Sequence, residues 1–143
     1  MKVIAITPHQ KEDTLAVFIM DGLHDIDADV IATDLGNNVK KAYKDDEVIE
    51  HSKDADYILA FAGKHGLNGV PAPKYHLLDK INRPEVTAYI DGSEYNWTSF
   101  RTKNYPRINE EMYEKCNWYF KRAVYEEDLD EAYMMEKILF YLV

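Results

Sequence analysis

The stretch Ala55-Asp56-Tyr57-Ile58-Leu59-Ala60-Phe61-Ala62, followed at once by Gly63-Lys64-His65-Gly66, is the most apolar run of the chain. A short, continuous apolar run with a glycine-rich exit reads as a strand buried on both faces, which is the habit of parallel sheets. Working outward, Lys2-Val3-Ile4-Ala5-Ile6-Thr7 has the same character and is closed by Pro8. Asp29-Val30-Ile31-Ala32-Thr33-Asp34 repeats it before the turn residues Gly36-Asn37-Asn38. Val86-Thr87-Ala88-Tyr89-Ile90 predicts a fourth strand, ending at the turn signal Asp91-Gly92-Ser93. Cys116-Asn117-Trp118-Tyr119-Phe120 predicts a fifth, with Lys121-Arg122 at its end.

Helical spacing fills the intervals. Leu15, Phe18, Ile19 and Leu23 fall at i, i+3, i+4 and i+8 behind the acidic Glu12 and Asp13, with Gly22 near the end of the segment. Val39 to Asp54 predicts a short surface helix or helical turn. Tyr75, Leu77, Leu78 and Ile81 predict another that stops before Arg83-Pro84, because proline biases its predecessor out of the helical region. A short helix is expected over Asn109 to Lys115. From Glu126 onward, Leu129, Ala132, Met135, Ile138, Leu139 and Leu142 keep a helical stripe to the last residue, and Glu126, Glu127 and Asp128 suit the positive end of its dipole. Strands alternating with helices predict an α/β, three-layer, Rossmann-like domain over residues 1–143, with a mainly parallel sheet of about five strands. The apolar ending Leu139-Phe140-Tyr141-Leu142-Val143 suits a buried end, an oligomer or second-domain contact through this helix, or the cut edge of a longer protein.

Composition narrows the partners. The chain of 143 residues carries 26 Asp and Glu against 17 Lys and Arg, a formal charge of -9, so its summed field repels phosphate backbones and anionic lipid. Nucleic acid is therefore not expected as a partner. No apolar run approaches the roughly 20 residues of a membrane helix. The lone Cys116 cannot form an internal disulfide, and the first residues turn polar too soon for a signal peptide, so a reducing cytoplasm is expected.

In open parallel sheets, ligands bind beyond the carboxyl ends of the strands. The residues expected at that edge are Thr7, Pro8 and His9, then Asp34, then Gly63, Lys64 and His65, then Asp91 and Ser93, and finally Lys121 and Arg122. Lys64, Lys121 and Arg122 suit an anionic or polyhydroxylated ligand through charge-assisted hydrogen bonds, Arg122 bidentately. His9 and His65 suit a general base toward a hydroxyl, against the plainer reading of exposed loop histidines. Asp91 either serves a ligand or closes an Asx-type turn. The long loop Glu94 to Tyr105 interleaves Tyr, Trp and Phe with amides and hydroxyls, the pattern of a sugar-binding surface or of a cap on the core edge.

Other chemistries are not supported. Gly63, Gly66 and Gly69 match neither the P-loop nor the dinucleotide fingerprint, so no cofactor is expected. Asp21, His24, Asp25, Asp27 and Asp29 read as a solvated acidic helix end rather than a metal site. A two-component receiver needs acids after the first strand and an aspartate after the third, where this chain has Pro8-His9 and Gly63-Lys64.

Tyr89-Ile90-Asp91-Gly92-Ser93, followed by Cys116-Asn117-Trp118-Tyr119-Phe120-Lys121-Arg122, resembles the "iDG(S/D) … (C/D)xxFKR" arrangement in the N-terminal halves of CgeB-like, spore-maturation-type glycosyltransferases. The resemblance implies the N-terminal, acceptor-side half of a two-domain GT-B enzyme, in which the C-terminal half holds most of the sugar nucleotide. It implies a structural or cleft-lining role for Asp91, Lys121 and Arg122. The expected chemistry of the complete enzyme is attack of an acceptor hydroxyl on an activated sugar, with His9 as base, and a lone half is expected to be inactive. The first loop, Thr7-Pro8-His9-Gln10, lacks the glycine-rich turn frequent in GT-B proteins. The competing expectation is a non-catalytic, flavodoxin-like interaction module whose C-terminal helix docks on a partner or a second copy.

Overall fold

A computed structural model describes residues 1–8, 14–62, 72–91, 109–124 and 138–142. Its strands are β1 (Lys2–Ile6), β2 (Asp29–Ala32), β3 (Tyr57–Phe61), β4 (Thr87–Asp91), β5 (Trp118–Val124) and β6 (Ile138–Leu142). They form one sheet in the order β2-β1-β3-β4-β5-β6, and every pairing is parallel. The helices are α1 (Thr14–Asp25), α2 (Asp45–Ser52), α3 (His76–Ile81) and α4 (Glu110–Lys115). The α/β, Rossmann-like expectation is met, with one strand more than expected.

The side-chain period of two gives each strand one residue set per face. On one face, Ile4, Ile6, Ile58, Ala60, Tyr89 and Tyr119 pack with Val48 of α2, Leu77 and Leu78 of α3 and Met112 of α4. On the other, Ala5, Ala32, Phe61, Ala88 and Ile90 pack with Ala16 and Met20 of α1. The connection from β1 therefore leaves toward α1, and those from β2, β3 and β4 leave toward the opposite face. The chain reverses direction between β1 and β3, the switch point of the flavodoxin-type strand order.

Two expectations are corrected. Of the stripe Leu15, Phe18, Ile19 and Leu23, three residues, Leu15, Ile19 and Leu23, are half-buried and pack against the core beside the fully buried Ala16 and Met20, while Phe18 is 67% exposed. Ala16 and Met20 lie on the face that packs on the sheet, and Phe18, midway between them in sequence, falls on the opposite side of the helix. Residues 138–142 extend as β6 rather than closing a helix, because Ile138, Leu139, Phe140 and Leu142 find ladder partners along β5. A continuous apolar run fits a strand as readily as a helix face, and the free edge of β5 decides between them. Docking through a C-terminal helix therefore loses its last turn. Lesser adjustments are that Cys116 caps the end of α4, buried, and β5 starts at Trp118.

Local sequence explains the helix ends. Glu47 Oε2 accepts from the Lys44 N–H at 2.8 Å at the start of α2, and Asn109 Oδ1 accepts from the Met112 N–H at 3.2 Å at the start of α4. α1 ends in a Schellman pattern: the Ala28 N–H reaches Leu23 O at 2.9 Å, the Asp27 N–H reaches His24 O at 3.0 Å, and Asp27 is left-handed with φ 52°. Asn37 and Asn38, with φ 53° and 62°, turn the chain after β2.

A candidate site at the carboxyl edge of the sheet

The register of β4 on β5 sets Tyr89 opposite Tyr119 and Asp91 opposite Lys121, so all four residues share one face of the sheet. Asp91 Oδ2 accepts from the Tyr119 hydroxyl at 2.7 Å and from Lys121 Nζ at 3.2 Å. The side chains of Lys121 and Asp91 are 0% and 4% exposed. Burial holds the Lys121 ammonium below the usual lysine range, and the neighbouring Asp91 carboxylate partly offsets this. The Asx-type turn expected at Asp91-Gly92-Ser93 involves residues 92 and 93, which lie outside the described residues.

Asn109 joins the group from the start of α4. Its backbone N–H donates to the Tyr119 hydroxyl at 3.0 Å, and its Nδ2 lies 3.5 Å from the Tyr89 hydroxyl. Tyr75 donates to the carbonyl of Phe61, the last residue of β3, at 2.5 Å. Its ring meets Tyr89 edge-on with centroids 6.1 Å apart, and Tyr89 meets Tyr119 at 5.0 Å. Burial, reinforced by neighbouring Tyr75 and Asp91, pushes the Tyr89 phenol far above the ordinary tyrosine range. Burial and Asp91 do the same for Tyr119. Both phenols therefore stay neutral and act as hydrogen-bonding groups rather than as bases.

A second polar set lies at the ends of β1 and β2. The Thr7 N–H donates to Thr33 Oγ1 at 3.1 Å, and the Thr7 hydroxyl both donates to Asp34 O at 3.2 Å and accepts from the Asp34 N–H at 3.3 Å. The buried Asn37 Nδ2 donates to Pro8 O at 3.3 Å. These bonds fix where the chain leaves β1, beside the switch point.

Of the residues expected at the site, the structure brings Asp91 and Lys121 together. Arg122 lies in β5, but its side chain is outside the described residues, as are His9, Lys64, His65 and the aromatic loop Glu94 to Tyr105. Among the described residues, no three His, Cys, Asp or Glu side chains converge as a metal site would require, and no helix is long and apolar enough to cross a membrane. Sequence reasoning passed over Tyr75, Tyr89, Asn109 and Tyr119. A signal was present in Tyr89-Ile90-Asp91 and Tyr119-Phe120-Lys121: the same two-residue spacing puts tyrosine and charge on one face of each strand. Comparison with protein-family models, with curated proteins and with solved structures returned no match.

Proposed function

We propose that this chain is a glycosyltransferase-related domain that holds a glycan or other polyhydroxylated acceptor at the carboxyl edge of its sheet. The observation that carries this reading is the register of β4 on β5, which sets Asp91 of one resembling motif directly opposite Lys121 of the other. Their mutual bond, shared with Tyr119, suits a rigid floor beside the point where β4 ends at Asp91. In this reading Arg122, Lys64 and His65 contact the ligand above that floor. His9 accepts the acceptor hydroxyl proton once a second domain supplies the activated sugar.

The test is ligand-observed NMR of the chain against a panel of sugar nucleotides and short glycans, with His9→Ala, His65→Ala and Arg122→Ala as controls. Saturable binding that Arg122→Ala or His65→Ala abolishes while the protein's own spectrum stays folded supports the reading. Silence across the panel overturns it in favour of an interaction module, a reading to which the exposed Phe18 on α1 lends its own support.

A further inference from the structure

We propose that the outer face of α1 docks a basic amphipathic helix of a protein partner, with Gly22 as the notch that lets the two helices approach. Phe18, Gly22 and Ile26 recur at four-residue intervals and so lie along one line of the helix. The Ile26 N–H bonds Gly22 O at 3.3 Å, which carries the helical progression one residue past Asp25. Phe18 is 67% exposed and Ile26 63% exposed, the two most exposed large apolar side chains among the described residues. Nothing among the described residues asks for glycine between them. A Cβ built on Gly22 meets no heavy atom within 4 Å, and its φ is not in the left-handed region. Glycine within a helix costs stability relative to alanine, so the fold would gain from a helix-forming side chain such as alanine or leucine here. A notch flanked by two apolar side chains is the shape that a second helix fills.

Charge selects the occupant. From Thr14 to Val39 the chain carries Asp21, Asp25, Asp27, Asp29 and Asp34 and no Lys or Arg. Asp21 and Asp25 are exposed on the same outer arc of α1 as Phe18 and Gly22. Asn38 Nδ2 donates to Asp21 Oδ1 at 2.8 Å and so holds that carboxylate in place. A second copy of this face would bring aspartate against aspartate. A helix with an apolar ridge flanked by Lys and Arg matches both the stripe and its rim. The surface lies on α1 and is independent of the carboxyl-edge reading.

The test uses a synthetic Leu/Lys amphipathic peptide of about 18 residues, long enough to be helical when bound, and its Leu/Glu counterpart. The Leu/Lys peptide is expected to bind saturably, to shift the backbone amide signals of α1, and to weaken as salt rises and screens the rim. Gly22→Leu and Asp25→Lys are each expected to weaken it by about tenfold or more. Neither should lower the thermal midpoint, since the first removes a helix-interior glycine and the second places a cation at the negative end of the dipole. Loss of binding in these variants therefore cannot be unfolding. Three results would overturn the proposal: binding indifferent to both variants, equal binding of the Leu/Glu peptide, or self-association without peptide that Phe18→Ser abolishes.

Discussion

Lys121 Nζ donates to Asp91 Oδ2 at 3.2 Å between directly opposed residues of β5 and β4, and both side chains are almost fully withdrawn from water. Two charges in that setting depend on each other more than they add to stability. Removing one leaves the other buried without this counter-charge, at a cost of about 3–5 kcal/mol, whereas replacing both by apolar groups of similar volume is often near neutral. Asp91→Leu and Lys121→Met are each expected to be strongly destabilising, and the double variant much less so than their sum. Urea denaturation of the four proteins in a double-mutant cycle measures this, and simple additivity would mean that the pair is not coupled.

The buried phenols set the alkaline limit of the fold. Tyr89 and Tyr119 are raised far above the unfolded tyrosine value of about 10, so their contribution is fully present below that pH. Above it, the unfolded chain releases phenolic protons that the folded chain keeps, and stability falls as pH rises. Each tyrosine adds a slope of up to about 1.4 kcal/mol per pH unit. Tyr89→Phe removes one such group, so its stability curve should fall less steeply than the wild type's between about pH 10 and 11.5. Parallel curves would contradict this.

Arg83 closes α2 from outside the helix. Its Nη1 donates to Ser52 O at 2.6 Å and to Ala55 O at 3.0 Å, supplying partners for carbonyls at and just beyond the helix end. Arg83→Met keeps the aliphatic stem and loses these bonds, at an expected cost of about 2 kcal/mol. Arg83→Lys should recover only part of it, because an ammonium lacks the guanidinium fork. Hydrogen exchange of the α2 amides should accelerate more than that of β1.

Asp27 holds the left-handed position at the end of α1, where glycine carries no Cβ penalty. Asp27→Gly should stabilise the protein by about 0.5 kcal/mol, seen as a small rise in thermal midpoint. A decrease would show that the Asp27 side chain contributes something beyond its backbone conformation.

Much of the fold was legible because it is local. The apolar runs at Val3–Ile6 and Ile58–Phe61 are each too short for a helix and too continuous for a half-exposed strand, so they specify buried parallel strands wherever they pack. The turn at Asn37-Asn38 follows from the tolerance of asparagine for the left-handed region, and the cap at Asn109 from a side chain that bonds its own neighbourhood. The β-branched and aromatic strand residues and the position of Asp91 at the end of β4 were likewise available from spacing alone, whereas Lys121 and Arg122, expected at the end of the fifth strand, lie inside β5, which runs on to Val124.

Sequence by itself thus determined the order of the first five strands and the four helices among them, the layered α/β class and Asp91 at the end of β4, because periodicity and turn chemistry act over a few residues. Only the tertiary structure decided which strand lies beside which. That choice put Asp91 opposite Lys121, gathered Tyr75, Tyr89 and Tyr119 over adjoining strands, and turned residues 138–142 into a sixth strand. It also turned Phe18 outward, since the rotation of α1 is set by Ala16 and Met20 packing into the core rather than by the apolar count along the helix. Pairing and helix rotation are properties of surfaces meeting across the fold, and no short window of sequence contains both surfaces.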